Sequence, residues 1–169
     1  MESITHWLGG LEFSQLIWLL PAAVTIHMVE EMIWLPAWSR TAGSWHIPVS
    51  SRQFAIASII LLVVIFALTA AVDSPIGNVA QYLTAGLALT FLFNIYFPHV
   101  GATIALRRYC PGLITALLIN LPLMPFLIWQ AVVKGHLDIL LFLLLAAPMV
   151  AAAAAGWSLL LNAGSILLK

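Results

Sequence analysis

Five uninterrupted apolar runs, each long enough to cross a bilayer, constrain this 169-residue chain more than any other feature of it. A crossing helix takes about 20 mostly apolar residues. Runs of that kind extend from about Phe13 to Trp34 with a continuation to Trp38, from Phe54 to Val72, from Val79 to Ala105, from Leu113 to Val133 and from Ile139 to Leu161. In hydrocarbon every backbone N–H and C=O must be satisfied within the structure, which leaves only helices and closed barrels. The runs are continuous rather than alternating, so the expectation is an all-α polytopic membrane helix bundle. It has five transmembrane helices in one domain over residues 1–169. Composition agrees: 7% of residues are charged and mean hydropathy is +1.10, against about 25% charged in a soluble domain.

Breakers fall between the runs. Asp73-Ser74-Pro75-Ile76-Gly77-Asn78 follows the second, Cys110-Pro111-Gly112 opens the fourth and Lys134-Gly135-His136 closes it. Met1, Glu2 and Ser3 lack the basic region of a signal peptide, so the first run is expected to be a retained span. Formal charge is zero and no basic surface argues for nucleic acid. A single cysteine, Cys110, excludes an internal disulfide and a cysteine-rich metal site. Arg40, Arg52, Arg107, Arg108 and Lys169 fall on one side of the bundle and Lys134 on the other. The positive-inside rule then puts the N-terminus outside and the C-terminus in the cytoplasm; the expected location is a bacterial inner (plasma) membrane.

Inside the first run stands Ile26-His27-Met28-Val29-Glu30-Glu31-Met32. A carboxylate in hydrocarbon costs several kcal/mol unless neutralised, paired or metal-bound. His27 reaches Glu30 and Glu31 at i+3 and i+4, so both carboxylates can flank the imidazole. At 1.5 Å per residue, His27 lies roughly 10 Å from the inner interface, His99 roughly 12 Å and Asn120 roughly 13 Å. Three helices thus offer polar groups to one layer, with Asn94 deeper, Tyr96 three before His99, and Thr103 four after it. Pro98 and Pro122 are expected to kink their helices and to free the carbonyls of Asn94 and Leu118, which helps open a pocket.

His27-x-x-Glu30-Glu31 in the first span of a small polytopic chain resembles the HXXEE-domain membrane proteins. Asn94 to His99 and Tyr109-Cys110-Pro111-Gly112-Leu113-Ile114-Thr115 are also similar to that family. The resemblance covers most of the chain. It implies an integral membrane protein, leaves room for an enzyme and supplies no substrate.

Two chemistries suit these residues. In the first, His27, Glu31 and His99 hold a divalent metal, zinc above others, and Glu30 is the general base. That arrangement follows the His-x-x-Glu-His pattern of one zinc-protease class, with Glu31 in the last position. A dication with two carboxylates is neutral, which lowers the cost of burial. The product is a metal-dependent hydrolase acting on a membrane lipid or lipid-like ester, amide or phosphate. Asn94, Tyr96, Thr103 and Asn120 are the substrate-binding or supporting residues of this site. In the second, metal-free chemistry, two adjacent carboxylates cannot both ionise easily. One donates a proton while His99 or the other Glu removes one, which suits isomerisation, cyclisation or epoxide opening of a terpenoid or sterol. The Glu-Glu-x-x-x-Arg pattern of intramembrane prenyl-protein proteases fails, because position 35 is Leu35.

Blander readings stand beside these. His27, Glu30 and Glu31 could form a hydrogen-bonded knot that fixes packing, and Asn94 and Asn120 could be interhelical glue. His6, His46 and His136 read as surface histidines and Cys110 as an inert thiol. Trp34, Trp38, Trp45, Tyr109 and Trp129 read as an interfacial belt. A small transporter or a lipid-binding subunit is the non-enzyme alternative, although the paired repeats usual in transporters are not evident.

Overall fold

The structure, a computed structural model, describes residues 11–166, with side chains to residue 162. His6, Lys169 and the segment Met1 to Ser3 lie outside the described residues. Five helical spans are long and apolar enough to cross a membrane: Phe13–Ser39, Ser51–Asp73, Gly77–Leu106, Leu113–Val133 and Ile139–Asn162. No strand occurs among the described residues. The fold is the expected helical membrane bundle.

The second span starts a little earlier than its apolar run because of its cap. The Ser50 hydroxyl accepts from the Gln53 N–H at 3.1 Å and the Gln53 side chain accepts from the Ser50 N–H at 3.4 Å. This reciprocal pair satisfies two otherwise orphaned donors at the helix start. The Gln53 amide also donates to the Leu161 carbonyl, tying the second span to the fifth.

Two spans are irregular at their prolines, as the sequence suggests. In the third, a helix over Gly77–Asn94 gives way to a wide turn over Ile95–Val100 before resuming over Gly101–Leu106. Phe97 is extended, at φ −140° and ψ 110°. A proline ring disfavours the helical region for the residue before it, so Pro98 breaks the helix at Phe97. In the fourth, a wide turn over Ala116–Asn120 precedes the helix Leu121–Val133, and Pro122 sits in the first turn of that helix. The ring of Pro122 conflicts with the carbonyl four residues back, inside the wide turn.

The third span packs against the fourth and fifth, the first against the second, and the second against the fifth. Leu20, Val24, Met28, Phe91, Met124 and Leu127 belong to the main core; Leu35, Val49, Phe54 and Leu161 form a smaller one near the first loop. At the other end of that loop region, Arg108 donates to the Thr41 hydroxyl at 2.7 Å and lies over the Trp38 ring at 5.4 Å. The first and third loops therefore adjoin.

Candidate functional site

The first span, the break in the third and the start of the fourth converge on one buried cluster. His27 and Glu31, one turn apart, share a face of the first span, as their i,i+4 spacing dictates. The break at Phe97 brings His99 against them. His27 and His99 are fully buried and Glu31 nearly so. The Glu31 carboxylate stands 3.9 Å from His27 Nε2 and 3.6 Å from His99 Nε2. The two imidazoles meet edge to face, 5.0 Å between centroids. One ligand atom from each of His27, Glu31 and His99 lies within 4.8 Å of the others.

The hydrogen bonds around the cluster give it a direction. The Thr115 hydroxyl donates its single proton to the Gly112 carbonyl at 3.2 Å. With the proton of the His27 imidazole on Nδ1, the hydroxyl accepts from that nitrogen, 2.8 Å away. His27 Nε2 is left with a lone pair and no hydrogen-bond partner, and His99 Nε2 likewise has none. His99 Nδ1 is 3.7 Å from Cys110 Sγ. Buried polar atoms are rarely left unpaired. Here two of them face a carboxylate that also needs donors or a cation.

The donor set fits a metal ion. Tetrahedral ligands at about 2.0–2.1 Å from zinc are separated by about 3.3 Å; the two nitrogen–oxygen distances, 3.6 and 3.9 Å, are somewhat longer, and the three ligand atoms lie within 4.8 Å of one another. Metal-bound imidazoles usually place the other ring nitrogen on a hydroxyl, carbonyl or carboxylate, which is what Thr115 provides. Three protein ligands leave one position open, the pattern of catalytic rather than structural sites.

Gly112 makes this approach possible. It has φ +90° and a Cβ on it would overlap His99 Cε1, come within 2.9 Å of His27 Cε1 and within 3.1 Å of Glu31 Cγ. Only glycine combines that backbone angle with that contact. The breaker Cys110-Pro111-Gly112 was visible in the sequence, but nothing there signalled that its glycine is a wall of the cluster.

Glu30 is placed differently from its expected role as base. Its carboxylate accepts from the N–H groups of Gly112 and Thr115, each at 3.0 Å, and from the Tyr109 hydroxyl. The two N–H groups lie at the start of the fourth span, where a negative charge is favoured. With Trp34, Tyr109, Ile114 and Thr115 it lines a shallow groove rather than the main cavity. Burial is the main cause, ahead of the bond to Glu30, that pushes the Tyr109 hydroxyl up to about 12.

That main cavity, about 870 Å³, lies among the first, second, third and fifth spans and the first loop. Glu31, His99, Asn94 and Tyr96 line it, together with Cys110 and many apolar side chains. Asn94 Oδ1 is buried without a partner, and Tyr96 is exposed. Thr103 stands outside the cavity lining and accepts from the Cys110 N–H at 3.2 Å, holding the third loop. Asn120 is also outside the lining; it is buried with both amide atoms unpaired. His46, expected on the surface, lines the cavity instead. Its Nδ1 bonds the Ile47 carbonyl at 2.6 Å, and burial holds its pKa below the ordinary histidine value. Nothing in its loop sequence distinguishes it from a solvated histidine.

Residues 18–127 match a family described as a protein of unknown function with an HXXEE motif. The chain belongs to the HXXEE family. It is 34% identical over 114 residues to the uncharacterized protein YrkK of Bacillus subtilis (strain 168), over 67% of this chain and 72% of the relative. No solved structure matches it. The matched family segment contains His27, Glu30, Glu31, His99, Gly112 and Thr115, and ends before the fifth span.

Proposed function

We propose that this HXXEE protein is a membrane-embedded, metal-dependent hydrolase of a lipid-like substrate, with His27, Glu31 and His99 as the ligands of one divalent ion, preferably zinc. The observation that carries the reading is the convergence of two buried, unpartnered imidazole Nε2 atoms on the Glu31 carboxylate. Zinc held by such a set would polarise a substrate carbonyl or phosphoryl group and make a water more acidic. Water then adds to the acyl or phosphoryl centre, the bond to the leaving oxygen or nitrogen breaks, and the proton lost by water ends on the leaving group.

Thr115 orients His27, Gly112 admits the two rings against each other, and Glu30 acts as a positioning residue that anchors the fourth span beneath them. His46, which lines the same cavity and whose pKa burial holds below the ordinary histidine value, is the cavity group assigned to carry the proton. The apolar cavity beside the ligands supports a lipid-like rather than a soluble substrate. The arginine-bearing end of the bundle is proposed to be cytoplasmic, with the N-terminus outside.

The test is hydrolysis of long-chain esters, amides and phosphate monoesters by the purified protein before and after chelation. Hydrolysis that stops on chelation and returns with zinc supports the reading. Undiminished turnover in metal-free protein overturns it and points to the acid–base alternative. His46→Gln should keep the metal and slow turnover at least tenfold, within the range expected of a general acid–base group.

A further inference from the structure

The third and fifth spans run in the same direction and pack together, with a close approach at Gly86. A Cβ on Gly86 would overlap the Met149 side chain. Past that contact the two helices line the cavity with matching steps. Leu87, Thr90, Phe91 and Asn94 recur on the third span, and Val150, Ala153, Ala154, Trp157, Ser158 and Leu161 on the fifth. Spacings of three and four residues keep each set on one helix face. The cavity therefore lies past the Gly86–Met149 contact, on the side of the first loop. From Val150 to Leu161 it extends about 16 Å.

Its dimensions limit what fits. At about 30 Å³ per heavy atom, the share of one water molecule in the liquid, 870 Å³ holds about 25–30 heavy atoms. That matches one long hydrocarbon chain with a compact polar head. The polar groups are gathered toward the loop end, at Glu31, His99 and Asn94, while Leu61, Leu87 and Val150 close the mid-membrane end. Lining side chains of both helices are themselves exposed: Phe93 is 56% and Phe97 68% exposed on the third span, and Ala154 and Ser158 are exposed on the fifth. Exposed side chains thus border the cavity at the gap between the third and fifth spans, where Ala153 and Ala154 are small.

We infer that the ligand of this cavity is a single-chain amphiphile, taken up laterally from the bilayer between the third and fifth spans, its polar head at Glu31 and His99 and its tail toward Leu87 and Val150. This rests on the hydrolase reading for the head but on shape alone for the chain. Because the tail leaves one apolar phase for another, chain length adds little affinity by itself; fit decides.

The experiment is native mass spectrometry of the purified chain with three probes: dodecanoyl hydroxamate, a hydroxamate carrying two hexadecyl chains, and acetohydroxamate. The zinc-loaded protein should take up one dodecanoyl hydroxamate per chain and should not retain the two-chain probe. Ala154→Trp should lower dodecanoyl hydroxamate occupancy at least tenfold while leaving zinc content and acetohydroxamate binding unchanged. Ser158→Trp narrows the same gap from the next turn and should act alike, which keeps the test decisive should Ala154→Trp fail to fold. Equal occupancy in the wild type and in a folded variant, or retention of the two-chain probe, would overturn the assignment. Protein that holds no zinc but still admits the single chain and excludes the double one would retain the cavity assignment and reject the metal reading.

Discussion

Gly112 lies against His99 so closely that a Cβ on the glycine would overlap the imidazole Cε1, while the same Cβ would press on His27 and Glu31. The start of the fourth span is thereby packed into the cluster formed by the other two elements. One backbone position controls how near the three prospective ligands can stand.

Gly112→Ala should therefore abolish metal binding. Gly135 supplies the control: it also has positive φ, +76°, but no atom lies within 4 Å of its would-be Cβ. Both alanine variants should lose about 1–2 kcal/mol from the left-handed backbone. Thermal unfolding and elemental analysis should show both variants destabilised and only Gly112→Ala without zinc.

Thr115→Val removes the partner of His27 Nδ1 while nearly preserving shape. Loss of such a supporting hydrogen bond typically weakens metal affinity 10–100-fold. Competition against a chromophoric zinc chelator should show a drop of that size, with the metal still bound at saturation. An unchanged affinity would mean that Thr115 does not set the His27 tautomer.

Glu30→Ala should cost stability rather than remove the metal. Two backbone N–H groups and one hydroxyl lose their acceptor, and charge-assisted bonds contribute about 1.5–3 kcal/mol each. Glu30→Gln, which keeps an acceptor oxygen, should lie between Glu30→Ala and the wild type in thermal unfolding and should retain zinc. Loss of the metal in Glu30→Gln at unchanged stability would instead return Glu30 to the ligand set.

Cys110 should be inert. It is 1% exposed, and burial pushes its thiol up to about 12. At pH 8 a thiol with that pKa is thiolate about once in ten thousand molecules. Alkylation by a maleimide at pH 8 should proceed only after denaturation; rapid labelling of the folded protein would contradict the packing of the third loop.

The spans and the cluster were legible in the sequence for different reasons. Each span is a run of local composition, and its ends follow from residues such as Pro111 and Gly112. His27 and Glu31 share a face because a helix fixes that by spacing alone. His99 reached them at the depth counted along its helix, although its facing depended on the break that Pro98 imposes at Phe97. The same counting placed Asn120 at that depth, yet it lies outside the cavity lining, because depth says nothing about rotation around a helix. Glu30 was legible as a partnered carboxylate but not as the anchor of the fourth span: two of its three partners are backbone groups 82 and 85 residues away, which no sequence pattern marks. His46 was missed because a loop histidine takes its surroundings from tertiary packing.

The most direct measurement is the zinc content of the purified protein after gentle extraction at neutral pH without chelators, beside His27→Ala and His99→Ala. The expected result is about one ion per wild-type chain and a near-complete loss in each folded variant, since each removes a direct ligand. Wild-type protein that binds no divalent ion when offered zinc, or variants that hold it as tightly as the wild type, would contradict a metal centre at His27, Glu31 and His99.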